Sequence, residues 1–287
     1  MRRSRIAVMA EGLMHLAARG KPALRRMGLS LEVGLGQRIA STLIAPPGKE
    51  IRVRLDGLPI TLPPDSPSAA MYRLGWYELE VREWITTYLK PGMGFVDGGA
   101  FAGYYTVLAA RCVGDAGRVW SFEPDPKTRP YLARNVTENQ LGNVEVSELG
   151  LTDRTGTMPW VEAGRERGRV GEAGDRTIAT TTLDDFFAAR GWPQVDLAKL
   201  DIEAGEARAV RGVRALAQRT PGLRVLVEVL PASMRQERGL ELPDLVAALR
   251  EAGLVRGTII ERKGLAFDLD HFPDPPEGQL FNVVMSR

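Results

Sequence analysis

Cysteine is close to absent from this 287-residue sequence: Cys112 stands alone, so no internal disulfide can form and the fold needs no oxidising compartment. A run of 18 apolar residues is missing as well, so the pattern offers no membrane-spanning helix. Internal repeats and long low-complexity tracts are also lacking. Charge of one sign is not in excess, because 38 Lys+Arg face 36 Asp+Glu for a net +2. With 26% charged and 44% hydrophobic residues, the composition excludes a disordered chain, a collagen-like repeat and a disulfide scaffold. What remains is a globular chain long enough for one large domain and a single core. Its 31 Gly and 19 Pro imply many turns between short elements, as in α/β folds.

The near-neutral total hides an asymmetry. Residues 1–50 carry nine Lys/Arg and three Asp/Glu, and the remainder carries 29 against 33. Such a skew marks either a solvated helix face or an arm that meets an acidic surface. Ile6, Met9, Leu13, Leu16 and Ala17 fall at helical spacing, predicting an amphipathic helix that Gly20-Lys21-Pro22 interrupts. Its apolar stripe needs cover. Docking on the chain's own core or on a second copy, as a homodimer, is expected ahead of lipid or nucleic acid. Arg2-Arg3-Ser4-Arg5 and the apolar residues 6–10 loosely imitate a signal peptide. Glu11, Gly12 and His15 interrupt the stretch and no small-residue cleavage site follows, so the expected location is cytoplasmic.

Further along, Ile51–Leu55 alternates apolar and charged residues, and Asp56-Gly57 turns into Leu58–Leu62, a β-hairpin pattern. Residues 70–89 read as one helix. From residue 94 strands and helices alternate: strands at 94–97, 118–122, 144–148, 195–200 and 223–229, and helices at 103–113, 126–139, 182–190, 203–219 and 242–252. Strands at 254–261 and 279–285 follow, joined by a Pro-rich loop. Strands separated by helices need crossover connections, so the fold class is α/β with a doubly wound, mostly parallel sheet. Residues 162–178, with Arg165, Arg167 and Arg169 among four glycines, read as a mobile surface excursion. Two regions result, an extension over 1–69 and the α/β domain over 70–287.

Chemistry concentrates at strand ends. In Phe95–Thr106 a strand ends in Asp97, a glycine turn follows, and a helix begins near Gly103. Glycine lets backbone approach a ligand, and the helix start offers unpaired N–H groups with partial positive charge. The spacing is neither G-x-G-x-x-G nor a G-K-[ST] phosphate loop. Glu123-Pro124 ends the next strand, 26 positions after Asp97. In a doubly wound sheet the two ends lie side by side at the carboxyl edge, where ligands bind. A carboxylate there accepts hydrogen bonds from vicinal ribose hydroxyls, or it caps the helix that follows. Lys199, Asp201, Glu203 and Glu206 cluster where another strand hands over to a helix, and Glu228 interrupts a buried strand, where a charge needs a partner or a function. Lys199 reads chiefly as an ion-pair partner of these acids. Tyr72, Trp76, Tyr77 and Tyr104 line either a substrate cleft or the core. His271, in the Pro-rich loop, is a candidate for substrate binding or proton transfer, whereas His15 and Cys112 read as structural.

Asp97–Thr106, Phe122-Glu123-Pro124, Thr182-Leu183-Asp184-Asp185, Lys199–Glu206 and Val227-Glu228-Val229, in that order, resemble the FkbM-family methyltransferases over roughly residues 75–286. The resemblance implies a class I S-adenosylmethionine fold: seven strands in the order 3-2-1-4-5-7-6, the last antiparallel. It implies S-adenosyl-L-methionine as cofactor, with Asp97, Gly99 and Gly103 around its methionine part and Glu123 at its ribose; Tyr104, Pro124 and Asp201 are further cofactor-binding candidates. Gly150 and Leu151, within Leu149–Asp153, would lie against adenine, and Glu78 would help cover the cofactor. The sequence departs from the family pattern at Gly98, Phe101 and Ala102, where Val, Asn and Ile are common. Ala204-Gly205 inverts the usual Gly-Ala order, and Leu230 stands where His or Asn is frequent.

Methyl transfer chiefly requires alignment of donor and acceptor, and an alcohol acceptor also needs its proton removed. Asp201 and Glu203 follow the strand nearest the cofactor's methyl in this fold, which makes them base candidates; their other reading is capping of the 203–219 helix. Glu228, Tyr72, Trp76 and His271 are the substrate-side candidates. No metal site is assigned, although Asp201, Glu203 and Glu228 suit a hard cation such as Mg²⁺. The expected activity is O-methylation of a hydroxyl on a small metabolite or sugar. N-methylation with the same cofactor site is the alternative, and a non-catalytic binding protein on this fold the third reading. Deleting residues 1–27 is expected to change the particle mass by light scattering or lower the melting temperature, with cofactor affinity retained. Loss of vesicle binding with mass and melting unchanged would instead identify a membrane arm.

Overall fold

The computed structural model describes residues 48–287 apart from 67, 164–166, 172, 173, 175, 232, 233, 236–240 and 274–279. The amphipathic helix expected before Gly20 lies outside the described residues. The chain divides into two compact units after Leu79.

The described part of the first unit holds the expected hairpin, β1 (Ile51–Leu55) and β2 (Leu58–Leu62), paired antiparallel with Leu55 opposite Leu58. Asp56 and Gly57 both take positive φ, 51° and 80°, which gives the two-residue turn whose twist suits adjoining strands. Ile51, Val53 and Leu55 are buried while Arg52 and Arg54 face water, as period-2 alternation dictates. Helix α1 (Ala69–Leu74) stops at Gly75, whose left-handed conformation (φ 68°) closes its last turn. The single helix expected over 70–89 is therefore two helices, and α2 (Leu79–Tyr88) starts afresh four residues later.

In the second unit a central sheet carries the fold. Its strands are β3 (Gly94–Gly98), β4 (Arg118–Phe122), β5 (Val144–Ser147), β10 (Leu197–Leu200), β11 (Arg224–Val229), β12 (Arg256–Ile259), β13 (Leu265–Asp268) and β14 (Phe281–Ser286). They lie in the order β13-β12-β14-β11-β10-β3-β4-β5. The pairs among β11, β10, β3, β4 and β5 are parallel, and β14 is antiparallel to both β11 and β12. This is the expected 3-2-1-4-5-7-6 arrangement with an eighth strand, β13, added at one edge. Helices α3 (Tyr104–Val113), α4 (Arg129–Glu138), α5 (Leu183–Ala188), α6 (Glu206–Arg211), α7 (Arg214–Arg219) and α8 (Leu242–Glu251) occupy the crossovers.

Where an irregular excursion was expected over 162–178, the described residues there are mostly strand. A second sheet holds β6 (Gly150–Leu151), β7 (Gly156–Ala163), β8 (Arg167–Val170) and β9 (Arg176–Thr181), in the order β6-β9-β7-β8. Met158, Trp160, Val170 and Ile178 make a small core for it, which is what holds a glycine-rich stretch in strands.

Strand alternation sorts the central sheet's side chains. Val96, Ala198, Leu200, Val225, Val227 and Val229 enter the main core with α5 to α8. Asp97, Lys199, Leu226 and Glu228 therefore share the opposite face. Helix α3 covers part of it, since Thr106 on α3 donates to Asp97. The helix expected over 203–219 breaks at Gly212, where a Cβ would lie 2.6 Å from the Thr152 carbonyl oxygen. Asp184 then caps α7 from outside its own segment: its two oxygens accept the N–H groups of Ala215 and Leu216, each at 2.8 Å. Thr182 caps α5 through Asp185 N–H at 2.9 Å. Among the described residues no helix is long and apolar enough to cross a membrane. Asp184→Ala strands two helix N–H groups and is expected to destabilise the fold by about 1–3 kcal/mol. Urea unfolding with cofactor affinity as control measures it; an unshifted midpoint would refute the capping role.

Candidate active site

The carboxyl ends of β3, β4, β10 and β11 bring the acidic residues together. Asp97 is 1% exposed on β3. Its Oδ2 accepts from Thr106 Oγ1 at 2.6 Å, and Thr106 also bonds Ser121 Oγ at 2.8 Å on β4. Its Oδ1 is buried with no hydrogen-bond partner. Burial pushes the Asp97 carboxyl above its ordinary range, against the pull of the Lys199 ammonium and the Thr106 hydroxyl. Lys199, opposite Asp97 in register, is 2% exposed and donates to Asp201 Oδ2 at 2.7 Å. Its ammonium also sits 4.8 Å from the centre of the Tyr105 ring. Tyr104, buried beside Tyr105, opens α3. The Asp201 and Glu228 carboxylates each bring an oxygen within 4.8 Å of the other's.

The glycines of this turn answer first to the chain itself. A Cβ on Gly99 (φ 78°) would lie 1.9 Å from the Asp201 carbonyl oxygen, so glycine is what lets the β3 turn pass against the β10 turn. Gly103 takes φ 85° and packs on Leu132, whose Cδ1 a Cβ would meet at 2.5 Å. Leu151 Cδ1 lies 2.8 Å from where a Gly98 Cβ would be, so larger side chains are shut out there too. After β10, Glu203 and Ala204 both take left-handed backbone, φ 55° and 64°, while Gly205 is the N-terminal cap of α6 at φ −92°. The inverted Ala-Gly order thus puts alanine where glycine would be unstrained. Asp201 pairs with Lys199, and α6 has no side-chain cap; Glu206 instead ties the turn before the helix by accepting Ile202 N–H at 2.9 Å.

Glu123, 7% exposed at the end of β4, is held from two sides. Its Oε2 accepts the Phe101 N–H at 2.8 Å and its Oε1 the Asp125 N–H at 2.9 Å. Phe101 offers that N–H from left-handed backbone, φ 50°. Helix α4 has Thr128 as its cap residue, so Glu123 does not serve it. Arg129 instead fastens the backbone by donating to the carbonyls of Glu123 and Pro124. Burial pushes the Glu123 carboxyl up to about 8, against its two backbone hydrogen bonds.

Residues 97–254, more than half of the chain, match the Methyltransferase FkbM domain. The chain belongs to the FkbM methyltransferase family. It is accordingly an S-adenosylmethionine-dependent methyltransferase. A search of curated proteins finds no match. Among solved structures, the chain is similar to a TehB-like SAM-dependent methyltransferase from Corynebacterium glutamicum, with 12% identity, TM-score 0.44, and 76% and 92% of the two chains covered. A SAM-dependent methyltransferase from Aquifex aeolicus gives 17% identity and TM-score 0.41 over 77% and 93%. An rRNA methylase from Streptococcus thermophilus gives 11% and 0.42 over 72% and 93%.

The donor set of this FkbM methyltransferase fits the cofactor: a buried carboxylate oxygen without a partner on Asp97, and a second buried carboxylate on the neighbouring strand end. One candidate fails. His271 lies in a 3₁₀ turn after β13, whose last residue, Asp268, pairs with Arg256 at the start of β12. That is the amino edge of the sheet, opposite the acids, because β12 runs parallel to β11 through β14. There His271 bonds exposed Asp268 at 2.8 Å, which raises its imidazole above the usual range. Tyr72, Trp76 and Glu78 lie in the first unit: Tyr72 is buried and stacked on Tyr77 at 4.1 Å, Trp76 bonds back to Met71, and Glu78 takes φ 41°. Thr106, Ser121, Phe101 and Asp125 were not singled out for the site from sequence; a hydroxyl one turn into a helix after a strand-ending acid was the available signal.

The proton on Glu123 makes a testable difference. Between its unfolded value of 4.5 and about 8 the folded state holds a proton that the unfolded chain has released. Stability therefore falls as pH rises through that window, by up to about 1.4 kcal/mol per pH unit. Glu123→Gln removes this contribution. Urea midpoints from pH 5 to 9 should show the wild type's advantage over the variant shrinking as pH rises; parallel profiles would contradict it.

Proposed function

We propose that this methyltransferase O-methylates a hydroxyl on a small metabolite or sugar, with Asp201 as the general base. When bound, S-adenosylmethionine supplies an electrophilic methyl group on its sulfonium. In this reading the unpartnered oxygen of Asp97 receives the amino end of the cofactor's methionine part, beside Gly99, Gly103 and Tyr104. Glu123 accepts the ribose hydroxyls, with Pro124 shaping its turn, and Gly150 and Leu151 flank adenine.

The observation that carries the proposal is the Lys199–Asp201 pair at the end of β10, alongside the glycine turn and within reach of Glu228. Lys199 occupies one oxygen of Asp201 and so sets the direction of the other. A carboxylate oriented in this way can take the acceptor's hydroxyl proton as the new C–O bond forms. Glu228 orients the acceptor by receiving a second hydroxyl, and Glu203, in the same turn, is the alternate base. The paired carboxylates also suit a protonated amine, so N-methylation is the rival reading.

Screening hydroxylated and amino metabolites with labelled cofactor, with and without EDTA, separates the two and tests any Mg²⁺ requirement. With an acceptor in hand, Asp201→Asn should bind S-adenosylhomocysteine nearly normally, because Asp97 remains to balance Lys199. Its turnover should drop by about 10²–10⁴. Near-normal turnover would remove Asp201 as the base.

A further inference from the structure

The inserted sheet reaches back to the loop that holds Glu123. Arg176, the first residue of β9, donates from Nη2 to Asp125 Oδ1 at 3.0 Å. Asp125 is the residue whose N–H donates to Glu123 Oε1. A second tether runs parallel to the first: Glu162 on β7 holds Lys127 at 2.7 Å and lies 3.8 Å from Arg176. Arg176 is itself fixed. Its guanidinium stands over the Trp160 ring, 5.4 Å from the centroid, and the two residues are register partners across β7 and β9. Trp160 is closely approached by two residues that lack side chains. A Cβ on Gly168 would fall 1.9 Å from Trp160 Cζ2, and one on Gly174 2.1 Å from its carbonyl oxygen.

The local turn alone also orders Asp125, through Lys127 N–H on Oδ1 and Thr128 Oγ1 on Oδ2. Those bonds fix the side chain within its own loop. They do not fix the loop against the rest of the unit, and the Arg176 contact does. Asp125 is 13% exposed at its side chain and Arg176 30%, so the pair is shielded more than a surface ion pair.

We propose that Arg176 is a positioning residue of the cofactor site, holding the Asp125 N–H on Glu123 so that this carboxylate presents its remaining lone pairs to the ribose hydroxyls. The inserted sheet is then part of the cofactor site. The proposal rests on the reading of Glu123 as the ribose carboxylate.

A double-mutant cycle on the full chain, read by calorimetry with S-adenosylhomocysteine and by thermal melting, tests it. Arg176→Ala should weaken binding about tenfold, the size of one charge-assisted contact acting through a neighbour. Arg176→Lys, which keeps the charge, should recover part of the loss. In a Glu123→Ala background the same Arg176→Ala change should have less than about a twofold further effect, because the path runs through Glu123. If Arg176→Ala does not fold, Asp125→Asn breaks the same ion pair from the other end, keeps the N–H, and should give the same pattern. Tenfold weakening that persists undiminished without Glu123, or a lowered melting temperature with unchanged affinity, would overturn the positioning role while leaving Glu123 in place. Unchanged affinity in Glu123→Ala alone would instead remove the ribose reading, and this inference with it.

Discussion

A lysine and two carboxylates share a nearly dry space between β3, β10 and α3, and much of the site follows from that. An isolated buried charge costs several kcal/mol, so Lys199 and Asp201 must approach closely and Asp97 must keep its hydroxyl and its cationic neighbour. Approach of this kind requires the turns after β3 and β10 to touch backbone to backbone. Gly99 permits it, since any Cβ there would clash with the Asp201 carbonyl oxygen. The glycine that sequence reading gave to cofactor approach thus has a prior duty, the assembly of the ion pair.

Glu123 shows a different solution to the same problem. Among the described residues the cation that acts on it is Arg129, not a lysine, and its pull is the least of the effects on the carboxyl. Two backbone N–H groups, from the glycine turn and from its own loop, carry the burden, and burial still leaves the carboxyl raised. One N–H comes at the expense of left-handed backbone at Phe101. Both carboxylates retain acceptor capacity while most of their surroundings are dry, which suits groups that receive hydroxyl or ammonium donors. The two sites meet through the turn of residues 98–103, where Gly99 contacts β10 and Phe101 contacts Glu123.

Local patterns in the chain already contained much of this. Alternation over 51–62 with Asp-Gly at the centre specified a hairpin, because only a few residues adopt positive φ twice in succession without strain. Short apolar strands ending in Asp97, Glu123, Lys199-Leu200-Asp201 and Glu228 specified a parallel sheet with acids at one edge, since period-2 alternation and crossover length are local properties. Resemblance in motif order added the strand permutation, and the eight-stranded sheet contains it.

Long-range packing decided the rest. The helices expected over 70–89 and 203–219 each break at a glycine, Gly75 by a left-handed cap and Gly212 where Thr152 presses in, and the second partner lies 60 residues away in sequence. Arg167–Val170 and Arg176–Thr181 form strands where Trp160 finds room over Gly168, a fit that composition does not encode. His271 lies near the acids in a linear reading only. An unanticipated strand, β13, reverses the chain and delivers it to the opposite edge of the sheet. Sequence by itself determined which residues carry charge at strand ends, because that depends on periods of two and four. Tertiary structure alone decided which of them meet, because a meeting depends on the direction of strands and on the few ångströms that a missing Cβ leaves open.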